Sequence, residues 1–314
     1  MTVTRRTAVA GALAMPFVLR HARAATVVRM GTLKLIHAIT PYFYERFLPD
    51  GITVEIIPFE SPTDGKDAVV SGSVDFGTFG IAAATLGAAV RQPVVVIGSQ
   101  CNKGMAIMAG KDGAISTLTD LRGKRVAIWP GSTQEVFVLE RLRMEGMSVR
   151  DITPVRVSFS EMHAALARGD VDAYVGAEPG PGLSLSSGIG KVVEYPYGTA
   201  MGSLNMILGA RRDTLEKRPE LAKLVVNLQR KASAYAMGNP DATVAMTVSK
   251  LGMSKAAVEV AAPNVELNWQ MTPLMMQQAR TYAEQMLALK QIRALPDFAT
   301  FFDPRFSDQV SNAA

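Results

Sequence analysis

Short apolar runs alternate with amphipathic stretches along the first two thirds of the chain, and amphipathic stretches dominate the last third. Residues 27–31 and 52–59 read as strands. Between them Tyr42, Phe43 and Phe47 are apolar positions of a helix opening near Thr40-Pro41, where proline suits the first turn. A helix over 65–71 ending at Gly72, a strand over 74–77, a small-residue helix over 82–90 and a strand over 93–99 continue the alternation. This β-α order predicts parallel strands wound through crossover helices.

Residues 100–109 are extended but hold Asn102, Lys103 and Gly104, which predicts a crossing into a second unit. There a short helix at Thr119-Asp120-Leu121 precedes a strand over 126–129 and the turn dipeptide Pro130-Gly131. Ser132 or Thr133 then serves as helix N-cap, with Glu135 as capping-box partner. Such a turn aims unpaired N–H groups and the positive end of a helix dipole at one point, a general anion-binding device; an ordinary well-capped helix has the same signature. A strand over 155–159, a helix capped by Ser160 and closed by Gly169, a strand over 171–175 and a rigid loop over 178–182 follow. A strand over 192–195 and a return crossing over 204–208 complete this unit. Helices are then expected over 214–235, 242–251, 254–262 and 272–289, with an aromatic tail segment over 298–302. Residues 69–77 echo 165–173: a helix end, a glycine, Val-Asp and a short strand, the mark of a repeated β-α architecture.

With 314 residues, 48% hydrophobic and 19% charged, the chain can fill one large domain or two medium ones. The formal charge of +5 is misleading. Without Arg5, Arg6, Arg20 and Arg23 the chain has 29 basic against 28 acidic residues, so its charge implies no nucleic-acid surface. Arg5-Arg6, an apolar stretch over 8–19 interrupted by Pro16, and Ala22-Arg23-Ala24 predict an export signal over 1–24, too short to span a membrane. It is twin-arginine-like, although Ala8 stands where a large apolar residue is common; the general secretory route stays open. Cys101 is the sole cysteine, and His37 and His163 are dispersed, so neither a disulfide nor a metal set is expected.

Residues 68–77, Leu121-Arg122-Gly123-Lys124-Arg125-Val126-Ala127, Gly131-Ser132-Thr133, residues 165–174 and Glu178-Pro179 together resemble the exported substrate-binding proteins of ABC importers, in particular the NMT1-like group for sulfonates, taurine, nitrate and pyrimidine precursors of thiamine. The resemblance spans about residues 27–235. It implies a type II-like periplasmic-binding fold of two α/β lobes, each a doubly wound sheet, joined by two crossing strands and closing on a ligand. Lobe 1 would comprise 25–102 and 206–314, and lobe 2 residues 103–205. It further implies a periplasmic monomer that hands its ligand to a permease in the inner membrane, with no cofactor and no catalysis.

In open α/β sheets ligands sit outside the strand C-terminal ends. On that rule Gly131, Ser132 and Thr133 are candidate N–H and hydroxyl donors, and Thr78, Gly80 and Ile81 form the matching loop of lobe 1. Lys34 or Lys66 could neutralise an organic anion, a sulfonate or a carboxylate, or be solvated. His37 could donate a hydrogen bond or cap a helix. Ser61 and Thr63 follow the second strand. Glu178 could meet a ligand amine or hold the hinge, and Trp129 and Tyr195 could wall the cleft or pack in the core. Two alternatives stay open: a pyrimidine-precursor binder or pyrimidine-synthase-like enzyme, and a ligand-loaded sensor for a membrane receptor. The lone Cys101 and the leader argue against the synthase, whose family chemistry uses a cysteine-rich motif. His163, mid-helix after Ser160, has no nucleophile elbow.

Overall fold

The computed structural model describes residues 26–313, so the expected export signal lies outside the described residues. The chain runs β1 (Thr26–Leu33), two 3-10 turns (Ile36–Ala38 and Thr40–Phe47), β2 (Ile52–Phe59), α1 (Pro62–Ser71), β3 (Phe76–Gly80), α2 (Ile81–Ala89), β4 (Val94–Lys103) and β5 (Met105–Gly110). It continues through β6 (Arg125–Ile128), α3 (Thr133–Met144), β7 (Thr153–Arg156), α4 (Met162–Ala167), β8 (Ala173–Ala177), α5 (Gly180–Ser186), β9 (Gly190–Glu194) and β10 (Leu204–Arg211). The last part is α6 (Arg212–Lys217), α7 (Pro219–Gly238), α8 (Pro240–Leu251), α9 (Lys255–Ala261), β11 (Val265–Leu267), α10 (Pro273–Ala288), α11 (Phe298–Phe301) and α12 (Arg305–Ser311).

The strands form two sheets, of order β11-β4-β10-β3-β1-β2 and β7-β6-β8-β5-β9. Each contains a parallel trio of the same winding, β2-β1-β3 and β7-β6-β8. Each trio is extended by antiparallel strands, so the sheets are mixed. The chain passes between them at Gly104, whose φ of +76° is a conformation that glycine adopts without strain, and returns before β10.

The sequence echo has a physical basis. The Arg29 N–H donates to Asp75 Oδ2 at 2.8 Å, and the Asp75 N–H to the Arg29 carbonyl at 2.9 Å. In the other sheet the Arg125 N–H donates to Asp172 Oδ2, and the Asp172 N–H returns to the Arg125 carbonyl, both at 2.8 Å. Each Val-Asp thus clasps the first strand of its own trio where the third strand begins. Asp75 also pairs with Arg218 at 2.5 Å, which ties the start of α7 to the first sheet.

Several expected elements differ. α1 begins three residues early because Ser61 accepts the Asp64 N–H and Pro62 occupies the first turn. Ser160 is not a helix cap: its hydroxyl meets Ser158, and α4 starts only at Met162. The segment after Glu178 is not a loop but α5, entered through a cis Glu178–Pro179 peptide. The helix expected over 214–235 is two helices. Pro219 disfavours helical geometry at the preceding residue, and Arg218 sits at φ −137°, ψ 55°. Residues 298–302 do pack on the body, with Phe302 bridging to Val96 of β4.

Candidate functional site

At the start of α3 the expected cap forms. Ser132 accepts the Glu135 N–H at 3.1 Å, and the Glu135 carboxylate accepts the Gly131 N–H at 2.8 Å. Gly131 has φ +76°. One of the N–H groups expected for an anion is therefore already used by Glu135. Burial raises the Glu135 carboxyl above its ordinary value, against the hydrogen bonds from Gly131 and Gln291. The N–H groups of Thr133 and Gln134 are the donors left at this helix start among the described residues.

This helix start lies against the first sheet's unit. A Cβ built on Gly80 would lie 2.7 Å from Thr133 Oγ1, so only glycine allows the approach. Gly131 faces Thr63 and Leu86. Thr133 Oγ1 donates to the Asn205 carbonyl of β10 at 3.1 Å, and Tyr282 of α10 donates to the Thr133 carbonyl at 2.6 Å. Ser132 and Thr133 are buried, as are Thr78, which lies within β3 and not in the loop expected after it, and Thr32 near the end of β1; the Thr78 hydroxyl donates to Thr32 Oγ1 at 3.3 Å. The structure thus brings Thr78, Gly80, Gly131, Ser132 and Thr133 to one seam between the two units.

The other candidates are placed differently. Lys34 is exposed and paired with Glu60, so it is not a free cation. Lys66 is buried one turn along α1, held by Asp67 and by Gln92 Oε1, beside Gly87 at the far end of α2 from Gly80. It is a structural ion, not part of the seam. The Ile81 side chain belongs to the apolar core. Ser61 is consumed as the α1 cap.

His37 and Glu178 mark the hinge. His37 is fully buried against Gly104, and burial pushes its imidazole down to about 4, so it is neutral at physiological pH. Glu178 donates its backbone N–H to the Gly104 carbonyl at 2.9 Å. Its carboxyl oxygens accept from the Gly182 N–H and from Asn264 Nδ2, both at 2.8 Å, and the side chain is buried. Burial pushes this carboxyl up to about 7 against those two bonds. The Glu178 backbone and side chain are thus tied to the crossing at Gly104, to α5 and to Asn264.

Trp129, next after β6, lies 6.5 Å from Phe159 ring to ring, and Arg156 stacks over it at 5.0 Å. Tyr195 is exposed and stacks on Tyr197, whose hydroxyl bonds the Met105 backbone at 2.8 and 2.9 Å. Asn205, Tyr282, Arg156 and Phe159 were not expected from sequence. Only Arg156 carried a usable signal there, as a cation at the end of a strand. His163 meets Ser184 at 3.0 Å, not Ser160, but Ser184 is fully buried within α5 and presents no nucleophile. Cys101 is equally enclosed, with burial raising its thiol.

Two mixed α/β lobes, strand ends and a helix start meeting across a pair of crossing strands define the two-lobed periplasmic-binding-protein fold. The alkanesulfonate-binding protein SsuA from Xanthomonas axonopodis pv. citri, bound to MOPS, shares this fold with a TM-score of 0.77 at 21% identity, over 88% of this chain and 98% of that one. The NMT1/THI5 like family description matches residues 41–243, more than half of the chain, and the chain belongs to that family. The putative aliphatic sulfonates-binding protein of Escherichia coli K12 is 24% identical over 71% of this chain and 70% of its own. The taurine-binding periplasmic protein of the same organism is 29% identical over 71% of each chain. The 4-amino-5-hydroxymethyl-2-methylpyrimidine phosphate synthase of Aspergillus parasiticus matches only 42% of this chain and 39% of its own, at 31% identity.

Proposed function

We propose that this chain is the exported solute-binding component of an ABC importer. It captures a small organic anion, a sulfonate or a carboxylate, between lobe 1 (25–102 and 206–314) and lobe 2 (103–205), and delivers it to an inner-membrane permease. The observation that carries this reading is the approach of Gly80 to Thr133 across the seam, where the α3 start and the ends of β1 and β3 meet. Thr78, Gly80, Ser132 and Thr133 are the ligand-facing set. The unused N–H groups of Thr133 and Gln134 and the Ser132 hydroxyl are donors suited to an oxyanion. Sulfonate- and taurine-binding relatives support the ligand class, and a periplasmic relative supports a periplasmic location; on this reading the chain acts as a monomer exported by the twin-arginine or general secretory route.

The protein is a binder and not an enzyme on this reading: the sulfonate- and taurine-binding relatives match 71% of the chain and the synthase only 42%, and Ser184 and Cys101 are enclosed. A thermal-shift screen of the leaderless chain against alkyl and aryl sulfonates, aromatic carboxylates, nitrate and pyrimidines tests it, since a ligand that binds only the folded state raises Tm. Sulfonates or carboxylates are expected to raise Tm. If only uncharged pyrimidines do so, the anion reading fails, and turnover of any compound in the screen refutes the binder reading.

A further inference from the structure

Neither lysine nominated from sequence is a free cation: Lys34 pairs with Glu60 and Lys66 with Asp67. Arg156 has no ion pair or hydrogen bond among the described residues, and it is exposed. It is the last residue of β7, in register with Ile128 at the end of β6. Its guanidinium lies over the Trp129 ring, 5.0 Å from the centroid. Trp129 is in turn two residues before Gly131, and its carbonyl accepts the Ser132 N–H at 3.3 Å. The guanidinium, the indole and the α3 start are therefore one continuous surface at strand C-terminal ends.

The indole is only partly buried. It packs with Phe159 in the apolar cluster of the second lobe. Leu35, from the loop after β1, packs against that same cluster and against the core of the first lobe, which brings the first lobe to the cluster that holds the aromatic pair. The contact with the indole holds the guanidinium at the Trp129 ring, and its N–H donors have no partner among the described residues, which leaves Arg156 available for bidentate pairing with a sulfonate or carboxylate. The partly exposed Trp129 ring, backed by the buried Phe159, offers tilted or offset packing to a flat apolar body, and Leu35 packs against the same cluster.

We infer that Arg156, Trp129, Phe159 and Leu35 form a specificity subsite for an aromatic organic anion: the anionic head on the Arg156 guanidinium, the ring on the Trp129 indole backed by Phe159. This deepens the cleft reading and rests on it. The experiment is titration of the full leaderless chain with benzenesulfonate, benzoate, hexanesulfonate and hexanoate, read by calorimetry. A parallel fluorescence titration uses a Trp269→Phe background, which leaves Trp129 as the sole tryptophan of the chain. Benzenesulfonate or benzoate is expected to bind at least tenfold tighter than its alkyl counterpart and to change Trp129 emission. Arg156→Ala should weaken all four by about tenfold. Trp129→Leu should abolish the aryl preference while retaining alkyl binding; thermal melts check that each variant folds. The sulfonate and carboxylate arms tell the two head groups apart. Equal aryl and alkyl affinities, untouched by either variant, overturn the subsite and leave the cleft reading standing. Absence of binding by all four anions to the unmutated chain overturns both.

Discussion

Two buried ionisable side chains set opposite pH dependences at the hinge. Burial lowers His37 to about 4 from an ordinary 6.5, so the folded chain resists its protonation. A base depressed in this way contributes stability that is complete above 6.5 and is lost as pH falls toward 4, up to about 3 kcal/mol. Glu178 is raised to about 7 from 4.5, so its contribution is complete below 4.5 and is lost as pH rises through 7, by a similar amount of about 3 kcal/mol. Between 4.5 and 6.5 the two slopes oppose each other. Glu178→Gln is therefore expected to leave a chain that loses stability as pH falls across that window, and His37→Asn one that loses stability as it rises. Denaturant midpoints at closely spaced pH values measure both slopes. Parallel profiles for the two variants would show that neither group controls the window. At this scale the sequence shows which residues carry charge but not which partners occupy it. Lys34, Lys66 and Glu178 were candidates because they carry charge. Glu60, Gln92, Gly182 and Asn264, which occupy that charge, are brought to them only by tertiary packing.

The elements most legible in the sequence are those whose signals are local. The α3 cap was readable from Ser132 and Glu135 because the bonded groups are three residues apart. The break at Arg218-Pro219 was equally local, yet the apolar spacing running through it suggested one helix. The Val-Asp echo was visible as a pattern, but its meaning depends on β1 and β6, which lie 46 and 47 residues from Asp75 and Asp172. The two clasps should differ in strength. The Asp75 side chain is 6% exposed and serves Arg29 and Arg218, whereas Asp172 is 33% exposed and serves Arg125 alone. Burial opposes ionisation of Asp75, but hydrogen bonds from Arg218 and Arg29 outweigh it and hold the carboxyl below its ordinary value. Removing Asp75 leaves the Arg29 N–H and two half-exposed guanidinium groups without their shared acceptor. Asp75→Ala is thus expected to cost about 2–3 kcal/mol and Asp172→Ala about 1 kcal/mol, measured by urea unfolding. Because a depressed carboxyl stabilises the fold above its unfolded pKa and stops doing so as pH falls through the folded one, the difference should shrink in acid.

The two-lobed architecture follows from the order of elements and the two crossings, whereas the state of the seam depends on a helix that no sequence pattern links to it. α10 lies about 150 residues beyond the α3 start, yet Tyr282 donates to the Thr133 carbonyl and Gln291, just past α10, donates to Glu135 at 3.0 Å. The Phe137 ring meets the same Tyr282 at 5.7 Å, tilted by 60°. These contacts hold the proposed ligand-facing turn of the second lobe against the first, so α10 is expected to bias the hinge toward closure. Tyr282→Phe keeps the ring packing and removes only the hydroxyl, leaving the buried Thr133 carbonyl without that partner. Its loss should cost about 1–1.5 kcal/mol, enough to shift a closed-to-open ratio by up to about tenfold. If the ligand is held only by the closed form, apparent affinity falls by the fraction of closed protein lost. Ligand-free solution scattering should then give a larger radius of gyration for Tyr282→Phe than for the unmutated chain, and saturating anion should restore the compact value. A lowered Tm with unchanged scattering would instead mean that this hydrogen bond stabilises each lobe's packing without governing closure.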